Sequence, residues 1–345
     1  MHSGTVGRAW NGQSIRADKS WLVELPDHLK GALTSAASIQ ADASFVDVTV
    51  DEGLADECRP FVDQCRAALF GPSGPGFAVL RGVPVQGLDL EVTERLYWMI
   101  GSLFGVPVTQ SGDLDLIGQV RREVRSGEKA FERGYKSAAD LEYHCDLTPL
   151  AGLLCVHQAP HGGESTLVDA EYVHAVLQAE RPDLLAVLYE PFPVGRLGET
   201  RPGEAAYVEQ PIFAVDGDRF GCFYPGRQMI EHAVRTGNAP PLTPMQAEAL
   251  DVMEEVAGRP EAPLQYLLQP GDLLWLNDYR VWHGRSEFQD SADADRRRHL
   301  LRLWLDIADA DPAAPKSIIY DFRFGNVGLT AAERADRILS AAENG

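Results

Sequence analysis

The chain has 345 residues, of which 45% are apolar, so it is long and hydrophobic enough to bury a substantial core. Its 51 acidic and 31 basic residues give a net charge of -20, and a field of that sign repels nucleic-acid phosphates and anionic lipid alike. We therefore expect no nucleic-acid partner and no membrane partner. No apolar run approaches the ~20 residues of a membrane span, and residues 1–20 lack the apolar centre of a secretion signal. We expect a cytoplasmic protein.

The cysteines argue against a disulfide framework or a structural zinc site. They are odd in number and scattered, and no C-x-x-C pair occurs among them. We expect reduced, buried thiols at Cys58, Cys65, Cys145, Cys155 and Cys222.

The first half of the chain mixes helix and strand signals. A strand is possible at 44–50, and helical spacing over 54–71 leads into a short apolar run at 76–85 that is typical of a strand. A second helix is predicted at 90–105, where the pattern again ends on a glycine. Residues 111–140 are charged and punctuated by glycine, which fits a mobile lid or a solvated connection equally well.

Strand signals dominate from residue 151 onwards. Helices interrupt them at 169–190 and at 242–258, and the second opens with Thr243 as capping residue and Pro244 at the first helical position. Many short strands with helices before and between them predict a β-sandwich or jelly-roll core with flanking helices. No repeat or linker divides the chain, so we predict one domain over 1–345. The predicted strands are "GLLCVHQAP", "PIFAVDGDRFGCFY", "LQYLLQPGDLLWL" and "HLLRLWLDIA".

The stretch "LEYHCDLTPL" places His144 and Asp146 two positions apart in an apolar setting. In a strand these two side chains project from one face while Cys145 points away, which suits two ligands of one metal ion. A structural hydrogen bond between a histidine and a carboxylate explains the pair as well. A third ligand is needed to separate these interpretations.

Two places could supply the third ligand. His157 and His161 lie four apart, but Pro160 and the strand-like run before it argue against a helix, so we interpret them as loop histidines. His283 is the better candidate, because it stands near the end of a predicted buried strand with Gly284 leaving space beside it.

The run "RRRHLLRLWLDI" carries charge into a predicted strand. With period two, Leu301, Leu303 and Leu305 share one face, while Arg298 and Arg302 share the other. If the leucines pack against outer helices, both guanidinium groups point into the barrel, where each needs an anionic partner. That partner is either an Asp or Glu of the chain or a small carboxylate ligand held bidentately.

These features together resemble the iron(II)- and 2-oxoglutarate-dependent oxygenases of the taurine dioxygenase (TauD/TfdA) type, whose relatives include clavaminate synthase and the arginine and asparagine hydroxylases. The resemblance covers roughly 75–310 and implies a β-rich α+β fold with a double-stranded β-helix core, jelly-roll and cupin-like, the terminal extensions being peripheral. The matching segments, in the family's order, are "HCD", "GGESTLVDA", "LNDYRVWHGRSEF" and "RRRHLLRLWLD".

The resemblance implies a role for individual residues. His144, Asp146 and His283 match the iron ligands, which leave positions open for cosubstrate and O2. Arg298 and Thr166 match the residues that hold the distal carboxylate of 2-oxoglutarate.

Three further positions lie close to the family's pattern. Ser165 is the alternative to Thr166 as the hydroxyl donor. Arg297, next to Arg298, also lies near the family's spacing for the cosubstrate arginine. Arg302 resembles an arginine that contacts substrate in several relatives, which implies a small-molecule substrate that is anionic or zwitterionic.

The implied reaction oxidises 2-oxoglutarate with O2 to succinate and CO2 and hydroxylates an unactivated C–H bond of the substrate. Halogenating relatives replace the carboxylate ligand by a small residue, so Asp146 disfavours halogenation. Desaturation and cyclisation stay open, as do a zinc or manganese hydrolase and a non-catalytic jelly-roll binding protein. Arg196, Tyr224 and Arg227 either reach the pocket or belong to ordinary surface chemistry.

Overall fold

The computed structural model describes residues 9–110, 115–122, 138–196, 205–216, 219–293 and 296–307. Most of the possible lid at 111–140 lies outside these residues, as do the two ends of the chain. The described helices are α1 Gly12–Ala17, α2 Asp27–Ile39, α3 Glu52–Phe70, α4 Leu90–Ser102, α5 Ala170–Glu180, α6 Pro182–Leu188, α7 Arg227–Arg235 and α8 Pro244–Ala257. In this part of the chain, no helix combines the length and apolarity that crossing a bilayer requires.

The strands are short and numerous, as the sequence predicted. They are β1 Leu22–Glu24, β2 Phe77–Arg81, β3 Val106–Val108, β4 Gly118–Val120, β5 Leu141–His144, β6 Leu150–His157, β7 His161–Gly162, β8 Ser165–Asp169, β9 Phe192–Gly195, β10 Tyr207–Gln210, β11 Phe213–Asp216, β12 Arg219–Cys222, β13 Leu264–Tyr266, β14 Leu273–Asn277, β15 Val281–Arg285, β16 Phe288–Gln289 and β17 His299–Asp306.

Two sheets form the centre of the molecule. The larger follows the order β1-β2-β14-β6-β17-β3, with β4 also paired to β17, and the smaller follows β13-β8-β15-β5. An apolar core lies between them, because Phe77 and Leu276 of the large sheet cluster with Leu167 and Val281 of the small sheet. We call the sides of the sheets that contribute to this cluster their inner faces. The predicted jelly-roll core is confirmed.

Helices cover the outer faces. Leu301, Leu303 and Leu305 of β17 pack with α2, α3 and α4 on the large sheet, as predicted. Leu300 of the same strand joins the inner core. On the small sheet, Val168 and Trp282 pack with α5, α6 and α8. This alternation along β17 and β15 follows from the period of two in a strand, and it fixes which side chains face the interior.

Some local predictions hold and others do not. Thr243 caps α8 through the backbone N–H of Gln246, and Pro244 occupies its first turn. The helical stretch at 169–190 consists of two helices. They are separated at Arg181, because Pro182 disfavours helical backbone at the residue before it. All five cysteines are free and buried, as predicted.

Two predictions are wrong. Residues 44–50 form a single 3-10 turn, Phe45–Asp47, and no strand; the backbone of Thr49 pairs instead with the side chain of Gln40. His157 and His161 are not in a loop, since they lie in β6 and β7 respectively. The prediction of one domain stays a prediction.

Candidate active site

Three side chains that the sequence singled out lie together at one end of the inner faces. One ligand atom each from His144, Asp146 and His283 lies within 4.8 Å of the other two. His144 pairs with His283 across β5 and β15, and their ring centroids are 4.3 Å apart. Nitrogen and carboxylate oxygen donors at this separation can hold one divalent metal ion.

Asp146 reaches this cluster from a loop. Strand β5 ends at His144, so the shared strand face expected for the pair does not extend to Asp146. Hydrogen bonds hold the loop instead: the backbone N–H of Cys145 donates to the carbonyl of Tyr224 at 2.7 Å, and that of Asp146 donates to Asp278 Oδ1 at 2.9 Å. The two side chains converge because of tertiary contacts beyond the end of the strand.

Both imidazoles are set up as neutral groups. Burial, together with the neighbouring His283, lowers the pKa of His144 to about 4, and burial also lowers the pKa of His283. His144 Nδ1 lies 2.9 Å from the carbonyl oxygen of Glu142, which leaves Nε2 for a metal. Neutral imidazole is the form that binds metal ions, so His144 and His283 are suited to hold a divalent metal ion.

Asp146 is ionised despite being buried. Burial opposes its negative charge, but the Arg302 guanidinium outweighs that effect, and the pKa of Asp146 is lowered. Arg302 Nη1 donates to Asp146 Oδ1 at 3.0 Å. The second oxygen, Oδ2, is buried and makes no close hydrogen bond among the described residues, although the Trp304 side chain helps to lower the pKa of Asp146, so this oxygen can bind a metal.

Protein groups hold the Arg302 side chain. Besides its bond to Asp146, its Nε donates to Gln110 Oε1 at 2.8 Å, and the Gln110 amide donates back to the Arg302 carbonyl at 2.8 Å. Its guanidinium lies 4.7 Å from the ring centroid of Trp304. Of the two partners considered from the sequence, the structure gives Arg302 an aspartate of the chain.

Arg298 sits in a different environment. It is only 2% exposed, yet its Nε and Nη1 have no hydrogen-bond partner in the described ranges. Burial, and then the charge of nearby Arg285, lowers its pKa to about 10. The ring of Phe288 lies under both guanidinium groups, 5.2 Å from Arg298 and 4.7 Å from Arg285. A buried cation with unused donors beside a second cation is a site for an anion.

Arg297, the neighbour of Arg298 in sequence, is not placed to bind this anion. Arg297 is exposed, and its Nε donates to the carbonyl of Ser291 at 3.4 Å. A Cβ added at Gly163 would lie 3.1 Å from Arg298 Nε, so this glycine allows the backbone to approach the guanidinium closely.

The register of β8 separates the two candidate hydroxyl groups. Thr166 pairs with Gly284, and a Cβ added to Gly284 would lie 2.9 Å from Thr166 Oγ1. Thr166 therefore lies on the outer face, opposite to His283. Ser165 pairs with Arg285, which shares the face of His283, and Ser165 is 4% exposed. Ser165 is thus the hydroxyl that belongs to the inner face.

The remaining candidates lie elsewhere or were not foreseen. Arg227 pairs with Asp251, Glu231 and Glu254, so carboxylates of α7 and α8 account for its charge. Tyr224 is buried, and its hydroxyl bonds to the same Glu254.

The acid that sequence reasoning missed is Asp278. It is fully buried, and burial together with the charge of Asp146 raises its pKa well above the usual range. Its signal in the sequence was an acid directly after the apolar run "LLWLN".

The chain is similar to known oxygenases over most of its length. The family model described as taurine catabolism dioxygenase TauD, TfdA family matches residues 41–304. FR-33289 synthase of Streptomyces rubellomurinus is 30% identical over 310 residues, covering 88% of this chain and 90% of that protein. Uridine-5'-phosphate dioxygenase of an Amycolatopsis species is 30% identical over 187 residues, covering 52% of this chain and 66% of the relative.

Solved structures share the fold at low identity. An asparagine oxygenase with Fe(II), 2S,3S-3-hydroxyasparagine and succinate has a TM-score of 0.61 at 18% identity, covering 83% of this chain and 93% of the other. The oxygenase OrfP with Fe and alpha-ketoglutaric acid has a TM-score of 0.57 at 17% identity, covering 83% and 94%. The chain belongs to the TauD, TfdA family and is a non-haem dioxygenase that depends on iron(II), 2-oxoglutarate and O2.

Proposed function

We propose that this dioxygenase hydroxylates an unactivated C–H bond of a small substrate that carries a carboxylate or another anionic group, an amino acid being the first class to test. The observation that carries the proposal is the combination, on one inner surface, of a His-Asp-His cluster and a buried arginine with unused donors. A metal site alone would fit many reactions, whereas the added anion site matches the cosubstrate of this family.

In this proposal His144, Asp146 and His283 hold the iron. Bound there, iron(II) supplies the activation of O2 that couples oxidation of 2-oxoglutarate to substrate hydroxylation. The protein keeps both imidazoles neutral and orients the Asp146 carboxylate through Arg302. Asp146 and His283 are buried, which limits the access of water to the reacting groups and suppresses side reactions.

Arg298 binds the distal carboxylate of 2-oxoglutarate in this proposal, since its Nε and Nη1 are buried and lack hydrogen-bond partners among the described residues. The supporting hydroxyl comes from Ser165 and not from Thr166, because β8 turns Ser165 to the inner face. A carboxylate bound there would also reduce the repulsion between Arg298 and Arg285.

The relatives guide the choice of substrates without fixing it. The similar structures include OrfP bound to (3S)-hydroxy-L-Arg and an asparagine oxygenase, and a similar curated protein is a uridine-5'-phosphate dioxygenase. Hydroxyarginine, hydroxyasparagine and uridine-5'-phosphate each carry an anionic group. Arg302 remains the proposed contact for such a group, which would share the guanidinium with Asp146.

Product analysis under 18O2 separates the competing reactions. Purified protein is incubated with iron(II), ascorbate, 2-oxoglutarate and a panel of amino acids and nucleoside monophosphates, and succinate and products are measured. Hydroxylation predicts substrate-dependent succinate and a product that carries one labelled oxygen. Succinate with an unlabelled, dehydrogenated product would assign desaturation or cyclisation. A product that takes its oxygen from water, without succinate, would assign a hydrolase and contradict the proposal.

A further inference from the structure

A buried carboxylate, Asp278, lies between two of the three proposed iron ligands. It occupies the turn between β14 and β15 and is 0% exposed. Its Oδ1 accepts the backbone N–H of Asp146 at 2.9 Å and lies 3.4 Å from His283 Nδ1. A single oxygen atom therefore faces the main chain of one ligand and the imidazole of another.

The Asp146 backbone depends on contacts of this kind. Strand β5 ends at His144, so no ladder hydrogen bond of the sheet fixes Asp146. Cys145, Thr148 and Pro149 have hydrogen bonds of their own, to Tyr224, Leu305 and Asp278, whereas the described bond to the Asp146 backbone is the one from its N–H to Asp278 Oδ1. Removing the Asp278 carboxylate leaves a buried amide without its acceptor and frees the loop to shift.

The contact with His283 acts on the second ligand. His283 Nδ1 lies 3.4 Å from Asp278 Oδ1 and makes no hydrogen bond among the described residues, so this edge of the ring faces Asp278 and Nε2 is the nitrogen left for a metal. A carboxylate behind a metal-binding histidine fixes the ring orientation and the tautomer and raises the basicity of the ligating nitrogen. Asp278 has the position for this role.

The cost of placing an acid here points to a function. The backbone amides of Asp146 and Ala151 stabilise the Asp278 carboxylate only in part, because it is fully buried and Asp146 adds a second buried carboxylate nearby. A buried, partly satisfied acid beside another acid is unfavourable for folding. An asparagine could bond the same amide without the charge, so backbone stability alone does not explain the aspartate.

We propose that Asp278 is a positioning residue of the iron site, which sets the Asp146 loop and the His283 imidazole together through one carboxylate oxygen. This inference rests on the proposed function. It assigns no contact with substrate or cosubstrate to Asp278, and its effect is on the metal affinity.

Metal titration of the full-length protein tests this role. Co(II) is titrated into metal-free wild type and into Asp278→Ala, Asp278→Thr and Asp278→Asn, and the dissociation constant and the visible Co(II) spectrum are recorded. Loss of a group behind a ligand typically weakens metal binding by about 10–100-fold. We expect that loss, with an altered spectrum, in the Ala and Thr variants. The Asn variant keeps an acceptor for the Asp146 amide but loses the carboxylate behind His283, so its affinity should fall between those of wild type and the truncations.

A matched control is Asp272→Ala. Asp272 is also a buried acid, 1% exposed, but it pairs with Arg81 and Tyr266 away from the ligand cluster. Its removal should lower the thermal stability and leave the Co(II) affinity unchanged.

The outcomes separate this inference from the proposed function. If wild type fails to bind Co(II), the proposed iron site itself is wrong. If wild type binds but folded Asp278→Ala or Asp278→Thr binds equally well with the same spectrum, only the role of Asp278 is overturned. Failure of both truncations to fold would assign Asp278 to stability instead and would also overturn the inference.

Discussion

Arg298 directly precedes β17 and Arg302 lies within it; both side chains are buried, but their surroundings are opposite in kind. Arg302 bonds to Asp146 and Gln110, so its charge is compensated by the chain itself. Arg298 leaves Nε and Nη1 without partners in the described residues and lies near a second cation, Arg285. The Arg302 guanidinium is thus already paired within the chain, whereas the Arg298 guanidinium has buried donors available to an anion from solution.

The difference shows how function can be recognised in a buried charge. An arginine that is paired inside a protein is explained by its partner, whereas one whose donors are buried and unused costs folding free energy. That cost is retained where a ligand compensates it. The comparison predicts that the two arginines respond differently to every perturbation that separates stability from binding.

The largest contrast is expected in the stability of the metal-free protein. Arg302→Met leaves the buried Asp146 carboxylate unpaired, so the free energy of unfolding should fall by about 3–5 kcal/mol. Arg298→Met removes a desolvated charge beside Arg285 and should leave the free energy of unfolding unchanged or raise it. Urea unfolding of both variants measures this contrast. Equal destabilisation by the two substitutions would show that Arg298 and Arg302 do not differ in how the fold compensates their charges.

The contrast reverses for the cosubstrate. Arg298→Ala removes charged hydrogen bonds to the distal carboxylate, each worth about 1.5–3 kcal/mol, so the KM for 2-oxoglutarate should rise by roughly 10–100-fold. The control is Arg297→Ala, because Arg297 is exposed and lies outside the barrel. Its KM should equal that of wild type. A raised KM in Arg297→Ala alone would show that Arg297, and not Arg298, binds the cosubstrate.

A smaller effect distinguishes the two hydroxyl groups of β8. Ser165→Ala removes one hydroxyl donor to a carboxylate that Arg298 still binds, worth about 1.5 kcal/mol at the lower end for a charged partner, and should raise the KM for 2-oxoglutarate by roughly 10-fold. Thr166→Val keeps the shape of a side chain on the outer face and should leave this KM unchanged. Steady-state succinate release measures both. The opposite result would mean that β8 presents Thr166 to the interior.

The outer side of β17 predicts a pH effect that is independent of the site. Burial, with nearby Arg121, lowers the pKa of His299 to about 4, and its ring bonds to Gln119 Oε1 at 2.7 Å. Between pH 6.5 and 4 the unfolded chain binds a proton at this residue that the folded chain does not, so the contribution of His299 to stability is lost as the pH falls.

Unfolding of the metal-free protein as a function of pH tests this effect. His299→Gln should reduce the loss of stability between pH 6.5 and 4, while His28→Gln, on the exposed surface of α2, should leave it unchanged. An unaltered slope in the His299 variant would show that burial does not hold this histidine neutral.

Periodicity predicted much of the fold and part of the site. The alternation in β17 identified Leu301, Leu303 and Leu305 as the outer face and Arg298 and Arg302 as buried, because a strand alternates wherever it is paired.

Register and tertiary contacts were not readable in the same way. Whether Ser165 or Thr166 faces inward depends on the pairing of β8 with β15, since a shift of one residue exchanges the faces. The position of Asp146 depends on a bond to Asp278, which is 132 residues away in the chain.

The most direct test of the account is an anaerobic titration of the wild-type protein with iron(II) and 2-oxoglutarate, followed by visible absorbance. The account predicts a weak charge-transfer band that saturates at one iron per chain, is lost in His283→Ala, and requires a higher 2-oxoglutarate concentration in Arg298→Ala. Absence of the band in folded wild-type protein, or its full retention in His283→Ala, would contradict the assignment of this site.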